Sequence, residues 1–247
     1  MREYLKLSLN ALSKLLEVEL AQTHRWEAGI DQVPDTVALK IAEIELLTAY
    51  NVDQDVRRLN GMSDVGILTY RTDAEFWADQ PQMRPYPASW NRGLMARIAH
   101  EVPGLSVSYS RPDEVPFSED VMTSAELRVV REYLGLSVGS LANLLVLDEE
   151  AVSKWEAGRE AIPDEVAQEI EQLEAHYADC VSKAIERLND ARDVRVFTFS
   201  SDADFWRFHP DMTGISASSD RMLVARAKSE VFGLAIEYWE CTMASSS

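Results

Sequence analysis

The sequence predicts a mostly helical α+β protein made of two homologous units, and three observations carry the prediction. Residues 2–110 lie over residues 131–239 at a constant offset of 129 without a gap, and roughly two in five paired positions are identical, far above the chance level for unrelated segments. The first part of each unit repeats apolar residues every three to four positions, the period of a buried helix face. The texture then changes to short β-branched and aromatic runs set between amphipathic stretches.

The alignment shows in quoted stretches: "REYLKLS" meets "REYLGLS", "WEAGIDQVPD" meets "WEAGREAIPD", "TDAEFWADQP" meets "SDADFWRFHP", and "HEVPGLSVSY" meets "SEVFGLAIEY". A period this long is a whole domain rather than a solenoid repeat. In the second unit Ser124 is a suitable N-cap for "AELRVVREYLG", with Gly135 near its end. Next, "SVGSLANLLVL" places Leu141, Leu144 and Leu145 on one helical face. Asp148 caps a third helix that stops at Gly158, and Ile162-Pro163-Asp164 opens a long fourth one. The first unit repeats this from Leu5 to Asn60. Met1 aligns with Val130, so the first unit lacks most of the first helix: either its start is eroded or the sequence begins late.

Beyond the long helices, "VGILTY" and "VRVFTF" read as strands. Short helices carrying Phe76-Trp77 and Phe205-Trp206 follow, then helices opening near Ser89 and Ser218, then the strands "LSVSYS" and "LAIEYW". The four strands are expected to form one sheet shared between the units. The expected divisions are 1–60 (head and long helix), 61–110 (strand-helix-helix-strand half), 111–121 (a proline-rich acidic linker), 122–190 and 191–240 (the same two parts again), and 241–247 (a tail).

Composition narrows the function. A chain of 247 residues, 46% hydrophobic and 27% charged, can build two cores. No apolar run reaches the ~18 residues a membrane span needs, and "MREYLKLSLNALSKLL" is amphipathic rather than signal-like. A cytoplasmic protein without membrane partners is expected. Cys180 and Cys241 form no metal or disulfide pattern, and His24, His100, His176 and His209 stand singly. No phosphate loop or nucleophile motif occurs, so no enzyme activity, metal or cofactor is expected. The net charge of −18 runs against a generic nucleic-acid binder.

The order helix, "SLANLL", "VSKWEAG" resembles the helix-turn-helix of phage repressors and Cro, in which the second helix enters the major groove. The extension "W-E-x-G…I-P-D", a long helix, a strand, an aromatic short helix and an "S-x-x-R-x-L-x-A-R" helix looks like the regulators of the YdiL type and the anti-CRISPR-associated repressors of the second class. The resemblance spans essentially all of both units. It implies a DNA-binding head and a dimerising back half, and so a covalent pseudo-dimer probing an inverted-repeat-like operator, most simply as a repressor. Further dimerisation stays open.

On that resemblance Gln22, Thr23 and Arg25 are the candidate readers, with Lys14 on phosphate and Ser153 and Lys154 at the matching places in the second head. Trp26, Trp155, Phe76, Trp77, Phe205 and Trp206 are assigned to the core. Arg92, Arg97, Arg221 and Arg226 are expected to salt-bridge nearby acids. The family's tryptophan-bearing loop survives only as Trp90, with Ser219 at the matching place. The second head opens its reading helix with Asp148, Glu149 and Glu150, which repel phosphate. Residues 1–118 carry 12 Lys+Arg and 17 Asp+Glu, net −5; residues 119–247 carry 12 and 25, net −13. Double-stranded DNA is therefore expected mainly on the first unit. The alternative is an acidic interaction protein on a retired helix-turn-helix scaffold, a DNA mimic or host-factor binder whose second unit meets a basic protein. A hybrid is compatible with both.

Overall fold

A computed structural model describes residues 2–62, 65–111, 122–189, 195–210, 212, 215–231 and 234–239. The expected linker beyond Arg111, the expected tail and Cys241 lie outside these residues. The first half runs α1 (Leu9–Leu16), α2 (Leu20–Glu27), α3 (Asp35–Leu59), β1 (Gly66–Thr69), α4 (Asp73–Asp79), a 3-10 turn (Pro81–Met83), α5 (Ala88–Glu101) and β2 (Ser106–Tyr109). Then come α6 (Ser124–Tyr133), α7 (Val138–Leu144), α8 (Glu149–Glu156), α9 (Asp164–Asn189), β3 (Arg195–Thr198), α10 (Asp202–Phe208), α11 (Ala217–Glu230) and β4 (Ala235–Tyr238). The start of α2 and of α8, of α3 and of α9, and of each later pair of elements differs by the offset of the sequence repeat, 129.

Short polar side chains start these helices by accepting orphan amides of the first turn. Ser8 accepts from Ala11 N, Ser137 from Ser140 N, and Asp148 from Glu150 N at 2.9 Å. Thr72 and Thr123 form full capping boxes with Glu75 and Glu126. Thr123, not Ser124, caps α6: Ser124 is its first helical residue and is buried.

The expected shared sheet does not form. β1 pairs β2 in parallel, Gly66 opposite Ser106, and β3 pairs β4 in parallel, Arg195 opposite Ala235, as two separate two-stranded sheets. Each crossover carries the short and the long back-half helix, as parallel pairing requires. What joins the halves is α6. Its Ala125, Val129 and Tyr133, spaced by four, belong to the core of the first half, while Leu127 belongs to the core of the second head. Two ion pairs cross between the halves at matching positions: Arg92 to Glu132 at 2.7 Å and Arg221 to Glu3 at 2.7 Å. The same guanidinium groups donate to Tyr70 O and Phe199 O, just past β1 and β3.

Arg97 and Arg226 do not pair with acids among the described salt bridges. Each lies over a tyrosine ring, Tyr4 or Tyr133, and donates to that residue's carbonyl. Phe76, Phe205 and Trp155 are buried. Trp26 and Trp77 are half-buried against the first core. Trp206 is 46% exposed and is no core residue, although its indole N–H reaches Ile215 O at 2.7 Å. Trp90 lies within α5, not in a loop, fully buried and donating to Thr48 Oγ1 at 3.0 Å.

Candidate nucleic-acid interface

Each head folds its second and third helices around a tight turn. The C-cap of α1, Glu17, lies in the left-handed region at φ +58°, and α2 starts three residues later; α7 ends two residues before Val146, φ +54°, and α8 follows. A β-branched residue at positive φ costs about 1–2 kcal/mol, so the packing of Leu12 and Leu16, or of Leu141, must hold the turn in place. Leu5 and Leu7 complete the first head's core, with Leu134 and Leu136 at the matching places in the second.

The predicted readers separate once the structure places them. Thr23 is 1% exposed, and its hydroxyl faces Glu19 O at 3.5 Å. It packs where the second head has Val152, also 1% exposed, so it is core and does not reach a groove. Gln22 and Arg25 come together, because Asp31 draws both in. Gln22 Nε2 donates to Asp31 Oδ2 at 3.0 Å, and Arg25 donates to both carboxylate oxygens at 2.6 and 2.7 Å. Arg25 foremost, then Gln22, holds the Asp31 carboxyl down at about 2, and the same bond raises Arg25. Lys14 is exposed on α1, and His24 and Leu20 stand exposed on α2.

The second head builds the same clamp with different residues. Lys154, at the position of Arg25, bridges Glu160 at 3.2 Å and Glu150 at 3.3 Å, and the two acids raise its pKa. Ser153 is exposed beside it. Asp148, Glu149 and Glu150 are all exposed at the start of α8, where they stabilise the helix dipole and add negative charge. α2 has no acidic residue in its first turn, and its N-cap Glu19 makes no side-chain cap.

Sequence reasoning missed Asp31 and Glu160, although the signal was present. Both units carry a basic residue just before the tryptophan and an acid five residues after it, in "RWEAGID" and "KWEAGRE". Behind each α2-type helix a second pair fixes its end: Arg2 to Glu27 and Arg131 to Glu156, with Arg2 and Arg131 also donating to Leu7 O and Leu136 O.

Among the described residues no helix is long and apolar enough to cross a membrane, and no group of His, Cys, Asp and Glu is placed to hold a metal. Residues 122–230 match the family model described as Aca2/YdiL-like. No curated protein matches the chain. The matched segment opens just before α6 and closes at the end of α11, so the similarity to that family covers the second head, α9 and the back-half elements as far as α11.

Proposed function

We propose that this chain is a DNA-binding transcription regulator, a repressor, whose two units arose by tandem duplication and act as a covalent pseudo-dimer on an inverted-repeat-like operator. The observation that carries the reading is the pairing of Gln22 and Arg25 by Asp31 on the outer side of α2, in a helix-turn-helix head whose counterpart lies in the stretch similar to the Aca2/YdiL-like family. A carboxylate that gathers a guanidinium and an amide holds both as a rigid fork, and the fork suits a phosphate or a guanine edge. The first head does most of the binding, since the acids opening α8 repel phosphate.

The test is retention of the purified chain on DNA from its own upstream region across a salt series. Changing Gln22 and Arg25 together to alanine should abolish specific retention. Unchanged retention would overturn the assignment. A second reading, an acidic surface for a basic partner, draws on the exposed Asp148, Glu149 and Glu150. Absence of any retention, even at low salt and with Glu149→Gln and Glu150→Gln in place, would favour it.

A further inference from the structure

Where the two units meet, a small cavity of about 270 Å³ is walled by Tyr4, Arg97, Tyr133 and Arg226, two residues from each unit at matching places of the repeat. Each arginine lies over a tyrosine ring, Arg97 3.8 Å from the centre of Tyr4 and Arg226 3.4 Å from that of Tyr133, and gives one terminal nitrogen to the carbonyl of the same residue. That leaves Arg226 incomplete. It is 8% exposed, and its Nε is buried with no hydrogen-bond partner among the described residues. A buried guanidinium N–H without an acceptor has lost its hydration with nothing in return, an arrangement folded proteins keep rare. Burial foremost holds both guanidinium groups below the ordinary arginine value, and Arg97 pushes Arg226 further down against the pull of Tyr133 and Tyr4.

The rest of the cavity divides into two parts. Val181 and Ile185, half-buried on α9, form an apolar wall. Glu101 and Glu230, again at matching places, stand exposed at the rim, with His100 and Ser229 beside them. A bare anion suits the arginines but meets two carboxylates at the rim; a bare amine suits the rim but meets two buried cations inside. Neither uses the apolar wall. A zwitterion with an apolar tail satisfies all three.

We infer that this cavity binds an apolar α-amino acid, with its carboxylate on Arg226 and Arg97, its ammonium towards Glu230 and Glu101, and its side chain against Val181 and Ile185. A carboxylate is the acceptor that a guanidinium edge fits best, and a few placed polar groups against an apolar wall are the usual make-up of a small-molecule site. The first unit supplies Tyr4, Arg97 and Glu101, and the second supplies Arg226, Glu230 and the α9 wall. A bound molecule therefore ties the units together and stabilises the folded chain by mass action. The inference stands apart from what the heads bind.

The test is isothermal titration of the full chain at pH 7 with L-leucine, with 4-methylpentanoate, which lacks the amine, with 3-methylbutylamine, which lacks the carboxylate, and with inorganic phosphate. Saturable binding of L-leucine at millimolar concentration is expected, with a rise in melting temperature and much weaker binding of the other three. Arg226→Gln should weaken L-leucine at least about tenfold. Val181→Trp, which fills the cavity from a half-buried position and leaves both guanidinium groups in place, should abolish binding while the chain still melts cooperatively. Glu230→Gln, at the exposed rim, should weaken L-leucine several-fold and leave 4-methylpentanoate unchanged. No saturable binding of L-leucine, or binding that survives Val181→Trp, would overturn the inference. So would phosphate or 4-methylpentanoate binding as tightly as L-leucine, which would make the cavity a site for anions alone.

Discussion

At the place where each unit's chain enters its first head helix, the two halves fill the same gap from opposite sides. In the first unit Lys6, at φ +56°, lies over Gly93, where an added Cβ would stand 2.8 Å from the Lys6 Cγ. In the second unit the glycine is Gly135, at φ +74°, and the long side chain is Met222, 2.7 Å from the corresponding Cβ position. One filler is apolar and the other ionisable. The comparison shows that a packing requirement can survive a complete exchange of the residues that meet it, and that the exchange moves a charge into the seam between the units.

The deepest break of the symmetry is in the ion pairs behind α2 and α8. Arg131, on α6 itself, and Glu156, at the end of α8, are buried, while Arg2 and Glu27 are partly exposed. Glu156→Ala, which strands a buried guanidinium, should cost about 3–5 kcal/mol in urea unfolding. Glu27→Ala should cost about 1 kcal/mol or less. Equal losses would show that the deeper burial of the second pair does not matter to stability.

Next in size is the exchanged filler. Gly93→Met alone places two long side chains in one gap and should destabilise by about 1–3 kcal/mol. Adding Lys6→Gly reproduces the second unit's arrangement and should recover most of that loss, a coupling that a double-mutant cycle reads directly.

The buried charge adds a pH dependence. The Lys6 ammonium donates to Glu132 O and sits 3.4 Å from Met222 Sδ. Burial, the largest cause, pulls its pKa from 10.5 to about 7 against the opposing pull of the Glu132 carboxylate. The unfolded chain therefore binds more protons between those values, and Lys6 makes stability rise with pH from about 7 towards 10.5. A sealed group would give ~1.4 kcal/mol per pH unit, and the partly exposed Lys6 stem should bring less. Lys6→Met should flatten this slope and be most stabilising at or below pH 7, as melting curves from pH 6 to 10 will report.

The smallest effect concerns the fork on α2. Asp31→Asn removes a negative charge and loosens Gln22 and Arg25. If Asp31 acts mainly as a counter-charge, DNA retention should rise several-fold at low salt; if it acts as a splint, retention should fall. The reading proposed above expects a fall; in the unmodified chain the Asp31 carboxyl, held down at about 2 by Arg25 and Gln22, stays ionised from pH 5 to 8 and keeps the fork closed.

Much of the fold was legible because a gapless repeat constrains both units at once. Turn residues such as Gly158 and Pro163, and the helical spacing of Leu141 and Ile170, mark the same boundaries twice. The shared sheet was not legible, since strand runs of four residues say nothing about which edge they meet. Thr23 was misplaced because a threonine on a short helix looks polar, while position 152 carries valine, and that pairing was the clue. Trp206 was misplaced for the reverse reason: an aromatic residue counts as core only if something covers it, and Trp77's half-buried setting is not reproduced in the second unit. Arg97 and Arg226 escaped because a tyrosine face leaves no charge pattern in a sequence.

Because α6 lends opposite flanks to two cores, neither core can melt while the other stays whole. A calorimetric scan of the intact chain should show one peak whose enthalpy belongs to both, and a fragment cut to either unit would carry a torn face rather than half of the stability.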